Sequence, residues 1–313
     1  MAPGFNAQFK SQREWGWLLA IWLFMSGSAC GLFLLYKLLE LPLFFALLAL
    51  GSILAGGAVL LVELGSPRRA WRGISRPGTS WLSRGVLFVA FFILTGLLSI
   101  APELVSWLPW QRGSLAARAL GWIAGLCALM IVLYPGFFLA KNRSVPFWHT
   151  PWLPAAFVTC AALGATAMVL LGSAFLQDGL RPFDTLAAVL IVLNAVMIGI
   201  YLLAMQRAGG PARESVRLIN SPPLSAIFRI GVVLVGMAVP LLLVLWVPSA
   251  AVLAGVCLLA GSLLFRYCVL KAGVYVAPAL VREGQDFSRL NRTDSDLRRE
   301  YAGMAAQSAG NRG

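Results

Sequence analysis

"LVELGSPRRAWRGISRPGTSWLSRGVLF", residues 61–88, decides how the rest of the chain must fold. It holds one glutamate, five arginines, two tryptophans and two Gly/Pro turns, and it separates two stretches greasy enough to cross a membrane. A short basic interruption between such runs reads as a loop joining two transmembrane helices. Working outward, apolar runs of about 17–25 residues, the length that crosses ~30 Å of hydrocarbon, cover 17–39, 42–64, 84–101, 116–139, 152–175, 184–205, 226–247 and 249–270. With 59% hydrophobic and 12% charged residues, the composition lies outside the range of soluble domains.

The runs are continuous and rich in Leu, Ala, Val and Gly, without the alternation of an outer-membrane barrel, so their backbone must bond internally as helices. The expected fold is an all-α integral membrane protein with eight transmembrane helices, bundled as two four-helix halves. The first run is too long for a signal-peptide core and is read as a retained helix. Residues 1–16 form an N-terminal segment, 17–280 the transmembrane domain, and 281–313, polar and charged, a tail that orders against a partner. No internal repeat is convincing.

Eight crossings place both termini on one side. Twenty of the 25 basic residues fall on that side, four (Lys37, Arg112, Arg118, Arg181) on the other, and Arg266 within the last run. By the positive-inside rule, both termini and the quoted loop face the cytoplasm of a bacterial inner membrane. The net charge of +13 therefore reports topology. Divided among the loops of a membrane protein, it does not describe a nucleic-acid partner.

His149 is the chain's one histidine, which excludes a bis-histidine haem between helices. The five cysteines (Cys30, Cys127, Cys160, Cys257, Cys268) lie singly within runs, with no iron–sulfur or zinc spacing, and read as packing residues. No metal ligand set is expected. Redox work would need a dissociable carrier, or metal centres on another chain.

Ionisable groups gather at one membrane boundary. Glu63 ends the second run beside the arginine loop, where a carboxylate costs a few kcal/mol unless paired or wet; Gly65 and Pro67 turn the chain, and Ser66 and Ser80 offer hydroxyls. Trp71 and Trp81 suit the headgroup level. The fourth run ends "LYPGFFLAKNRSVPFWHTPWLPAAF", residues 133–157, placing Tyr134 about two turns inside, Pro135 as a kink, and Trp148 and His149 in a loop on the side of Glu63. Arg266 and Lys271, near the same end of the last run, are expected to snorkel to the interface. Gly27 with Gly31, and Gly121 with Gly125, have the G-x-x-x-G spacing of close helix packing.

Four of these stretches also carry a resemblance: "EWGWLLAIWLFMSGSACGLFLL" (14–35), "ELGSPRRAWRGISRPGTSWLSRG" (63–85), "YPGFFLAKNRSVPFWHTPWLPAAF" (134–157) and "FRIGVVL" (228–234). Over nearly its full length the chain resembles the NrfD/PsrC and DmsC families, membrane anchor subunits of molybdopterin oxidoreductase complexes. The resemblance implies eight helices and no metal in this chain. It also implies electron exchange between quinone, ubiquinone or menaquinone, and a four-cluster ferredoxin-like iron–sulfur subunit, which in turn serves the molybdopterin catalytic subunit.

In that light Tyr134 matches the tyrosine of the Y-x-G-F motif that contacts quinone in PsrC-like proteins. Glu63 stands before L-G-S-P, where DmsC-like proteins have a histidine important for quinol. The expected quinone site then combines Glu63 and Tyr134 as the reacting groups with Ser66, Arg68, Arg72, Trp81, Trp148 and His149, and Trp15 as another candidate wall. Arg69, Arg76, Arg84 and Arg143 would form the platform for the iron–sulfur subunit, and membrane lipid surrounds the bundle. Sulfur-oxyanion substrates (sulfite, polysulfide, thiosulfate, dimethyl sulfoxide) are favoured for the distant catalytic subunit. The competing readings are a membrane transporter, which would place polar residues at the midplane and show inverted repeats, and a purely structural anchor without a working quinone site.

Overall fold

Apolar segments with no water to bond must close their own backbone hydrogen bonds, and in the computed structural model of the chain they do so as helices. The structure describes residues 11–63, 81–105, 107–111, 113–173 and 181–275. In chain order the helices are α1 (Trp17–Leu38), α2 (Leu43–Glu63), α3 (Trp81–Leu104), α4 (Leu115–Ala140), α5 (Trp152–Leu171), α6 (Arg181–Ala208), α7 (Gly210–Ile219), α8 (Leu224–Trp246) and α9 (Ala251–Lys271). All except α7 are long and apolar enough to cross a membrane, which gives eight spans. The Ser114 hydroxyl caps α4 by accepting from the Ala117 amide at 3.3 Å, and Gly172 ends α5, four residues short of the sequence boundary.

The helices group as two sets of four. α1 packs on α2 and α4, and α3 on α4, while α5 packs on α6 and α9, and α8 on α9. The sets join where α1 meets α5 and α9, and where α4 meets α5. Small residues make that seam. A Cβ on Gly31 would lie 3.0 Å from the Ala165 Cβ and 3.1 Å from the Ala161 carbonyl oxygen, so α1 and α5 approach to backbone distance. The second glycine pair packs α4 on α1, with Gly121 against Lys37 and Gly125 against Leu34. Gly236 of α8 and Gly261 of α9 meet backbone to backbone. One polar link adds to this: the Thr159 hydroxyl of α5 donates to Asn194 Oδ1 of α6 at 2.9 Å.

Three features depart from the sequence expectation. Arg266 does not snorkel: it is 1% exposed and lies in the core between α1, α5 and α9. The face of α9 that carries it is turned inward, and a helical side chain leans back toward its own N-terminus, here away from the interface. Residues 210–219, expected as loop, form the amphipathic helix α7, with Pro211, Ala212, Ser215, Val216 and Ile219 buried. Finally, α8 runs in wide i→i+5 turns over Ile227–Ala238 before returning to α-helical geometry.

Candidate functional site

The two ends of the helical domain are clasped together. The Gln12 amide donates to the Gly273 carbonyl at 2.8 Å, Ser11 pairs with Val274 in an antiparallel bridge, and Lys271 Nζ donates to the Arg13 carbonyl at 3.4 Å. The segment before α1 and the segment after α9 thus lie at one face, the terminal end. Burial first, and the Glu14 carboxylate second, push the Tyr275 phenol up from its ordinary range.

From this clasp a run of aromatic rings leads into the bundle. Trp15 stacks on Trp148 with centroids 5.0 Å apart and planes 6° from parallel. Trp15 also stacks on Phe138 at 6.3 Å, and Phe138 stacks on Tyr134 at 5.5 Å. Phe138 and Tyr134 meet because residues four apart in α4 share a face. The Tyr134 ring lies against α3, where a Cβ on Gly85 would come within 2.7 Å of Cζ and 3.0 Å of the phenol oxygen. The bare glycine therefore makes room for the ring, and Tyr134 remains half-buried.

Trp148 is fully buried, in a core that also holds Phe147, Phe157, Tyr201 and Phe265. Its indole N–H donates to the Val269 carbonyl at 2.9 Å, and Gly273 packs on its ring. The loop before α5 is thereby fixed to α9. His149 Nδ1 hydrogen-bonds the Ala140 carbonyl at the end of α4; it satisfies one of the carbonyls a helix leaves without an intrahelical partner. His149 also lines a shallow hollow of about 190 Å³ with Phe137, Ala140, Thr150, Pro151 and Pro154. The hollow opens one turn along α4 from Tyr134.

The structure thus brings Tyr134, Phe138, Trp15 and Trp148 together in one stack, with His149 on the neighbouring turn. Glu63, the last residue of α2, is half-buried. Ser66, Arg68, Arg69, Arg72 and Arg76 fall outside the described residues, as does the side chain of Trp81, which opens α3. Of the arginines expected to dock a partner, Arg84 is half-buried in the first turn of α3 and Arg143 is exposed after α4. Among the described residues no group of three or more His, Cys, Asp or Glu is arranged to hold a metal ion. Phe138 is the member of the stack that sequence reasoning missed; its signal was the i, i+4 spacing from Tyr134.

The arrangement offers a phenol on an apolar wall. α2 packs mainly on α1 and α3 mainly on α4, while α2 and α3 meet much less. On this side Leu54, Leu61 and Val62 of α2 and Phe91 of α3 are exposed, as suits lipid contact.

The chain is 28% identical to "Protein NrfD" of Escherichia coli K12, and 26% identical to a polysulfide reductase component of Wolinella succinogenes, in each case over 83% of this chain and 94% of the relative. It is 27% identical to a sulfite dehydrogenase component of Allochromatium vinosum over 47% of each sequence. The family model described as polysulphide reductase, NrfD, matches residues 6–278, so the chain belongs to that family of membrane subunits.

Proposed function

We propose that this protein is the quinone-reactive membrane subunit of a molybdopterin-dependent oxidoreductase in a bacterial cytoplasmic membrane. It exchanges electrons between the quinone pool and a four-cluster ferredoxin-like iron–sulfur subunit, with both termini cytoplasmic. The names of the relatives, a polysulfide reductase and a sulfite dehydrogenase, favour a sulfur-oxyanion or polysulfide substrate on the catalytic subunit. The excess of basic residues on the terminal side supports the orientation.

One observation carries the reading: Tyr134 is held half-buried by Phe138 and Gly85 at the terminal end of α4, beside the sparsely packed α2–α3 side. A quinone brings two ring oxygens and reversible two-electron, two-proton chemistry. Tyr134 donates a hydrogen bond to one ring oxygen from a position fixed by its stacked neighbour. Glu63, half-buried at the end of α2, holds or releases the proton as a carboxylate can at a membrane boundary. Ser66, Arg68 and Arg72 belong to the adjoining loop and complete the polar side of the site, with Trp81 and the Trp15–Trp148 stack as aromatic walls and His149 nearby. Arg69, Arg76, Arg84 and Arg143 present cations to the iron–sulfur subunit, where a planar guanidinium suits docking to carboxylates.

The test uses the complete complex in its membrane. Tyr134→Phe and Glu63→Gln should each lower quinol-linked turnover by about tenfold or more, ~1.4 kcal/mol of barrier. Turnover driven by a soluble dye that feeds the iron–sulfur subunit directly should be unchanged. Full quinol-linked turnover in both variants, with normal assembly, would show that the site is elsewhere.

A further inference from the structure

The quinone reaction makes no use of Arg266, although it is the one buried Lys or Arg among the described residues. Its Cα lies five residues from the end of α9, and its guanidinium reaches back to the level of Ser262 and Cys160. These residues stand nine and eight positions from the terminal ends of their helices, a depth of about 12–14 Å at 1.5 Å per residue. In ~30 Å of hydrocarbon that is close to the midplane. Nη1 donates to the Ser262 carbonyl and to Cys160 Sγ, each at 3.0 Å. Nη2 faces α1, 3.1 Å from where a Cβ on Gly27 would stand. The faces of Phe24 and Phe157 flank the guanidinium at 5.9 and 5.6 Å.

Among the described residues nothing negative reaches this level: every Asp and Glu lies in a loop, in α7 or in an end turn of a spanning helix. A guanidinium keeps its charge in proteins, so it cannot answer burial by losing a proton. Arg266 Nε itself is buried without a hydrogen-bond partner among the described residues, and so are the hydroxyls of Ser262 and Ser28. Ser262 is one turn of α9 from Arg266. Ser28 follows Gly27 and packs on Gly164, one turn of α5 beyond Cys160. The cluster therefore offers one fixed positive charge, a spare N–H and two hydroxyls able to donate, with no counter-charge among the described residues.

We propose that this α1–α5–α9 cluster is a binding site for one small monovalent inorganic anion of the halide class, held by the Arg266 guanidinium and the Ser28 and Ser262 hydroxyls. Water would satisfy the hydroxyls but would leave the charge unbalanced. An anion answers both demands and ties together three of the helices that join the two halves of the bundle. The site is separate from the aromatic stack, and the proposal stands whether or not the quinone reading does.

The probe is bromide, added to the intact complex in place of chloride. Anomalous scattering from crystals of the complex should show a bromide peak within hydrogen-bonding distance of the Arg266 guanidinium. Thermal unfolding should shift upward in chloride or bromide relative to gluconate at equal ionic strength. In Arg266→Met both the peak and the shift should vanish. If that variant fails to assemble, the double variant Ser28→Ala/Ser262→Ala, which keeps the charge, should need about tenfold more bromide for half of the shift, ~1.4 kcal/mol of binding. Water alone at the guanidinium in saturating bromide would overturn the proposal, as would a halide shift that persists unchanged in Arg266→Met or the double variant.

Discussion

α1 has two very different sides. Toward α5 and α9 it presents Gly27, Ser28 and Gly31, and there the helices touch through backbone, hydroxyls and a buried guanidinium. Toward α2 it presents Trp22 and Met25 against Gly56, and beyond α2 lies a rim where Gly51 has nothing within 4 Å and large aliphatic side chains are exposed. Both regions are apolar, so hydrophobicity does not separate them. In lipid, helices gain little by burying Leu against Leu, and close packing by small residues with a few polar links makes the difference. The seam holds the two halves together, and the rim remains available to membrane components. Tyr134 lies where the rim's α3 meets α4.

Four experiments break or sharpen this contrast, beginning with the largest effect. Gly31→Val puts a branched side chain against the Ala161 carbonyl and Ala165. It should cost about 3 kcal/mol, seen as loss of assembled complex and a lower Tm, while Gly51→Val on the rim should stay within about 0.5 kcal/mol. Equal effects would abolish the distinction.

At the boundary, Gly85→Val drives a side chain into the space of the Tyr134 ring. Quinol-linked turnover should fall by about tenfold while dye-linked turnover is kept, with a smaller loss for Gly85→Ala. A variant with unaltered quinol kinetics would detach Tyr134 from the reaction.

Trp15 lies outside the spans and acts on Tyr134 through Phe138. Trp15→Ala should raise the KM for quinol by about threefold, ~0.7 kcal/mol, with kcat nearly constant, and Trp15→Phe should restore most of it by keeping a stacked ring. Unchanged KM in the alanine variant would reduce Trp15 to a fold element. Last, the Glu214–Arg217 pair on α7 is 3.7 Å apart, with the arginine largely exposed; Glu214→Ala should move stability by no more than about 0.5 kcal/mol in a thermal melt.

The eight spans were legible because hydrocarbon thickness sets their length and composition marks them directly. The clustering of Tyr134, Trp148 and His149 at one end followed from counting crossings. Partners across helices were not legible. Arg266 sits near a helix end, where a cation ordinarily snorkels, and only the inward rotation of α9 beside Gly27 and Cys160 removes that option. Trp148 has the setting of a headgroup-level tryptophan, yet the Val269 carbonyl takes its N–H and the clasp closes over it. α7 is hidden by the Gly-Gly-Pro that opens it; its trace was the i, i+4, i+7 spacing of Ala212, Val216 and Ile219. The Glu63 end of the candidate site is legible in sequence alone, since the loop after it falls outside the described residues.

The pairing of Gln12 with Gly273 has a bearing on biogenesis. A ribosome makes residue 12 early and residue 273 only after every span has been synthesised, so the two cannot meet until the whole bundle is in the membrane. The Val269 carbonyl that accepts the Trp148 indole N–H arrives at the same late stage. A stalled or partly inserted polypeptide therefore lacks the finished terminal surface, and any assembly step that reads that surface will admit completed molecules alone.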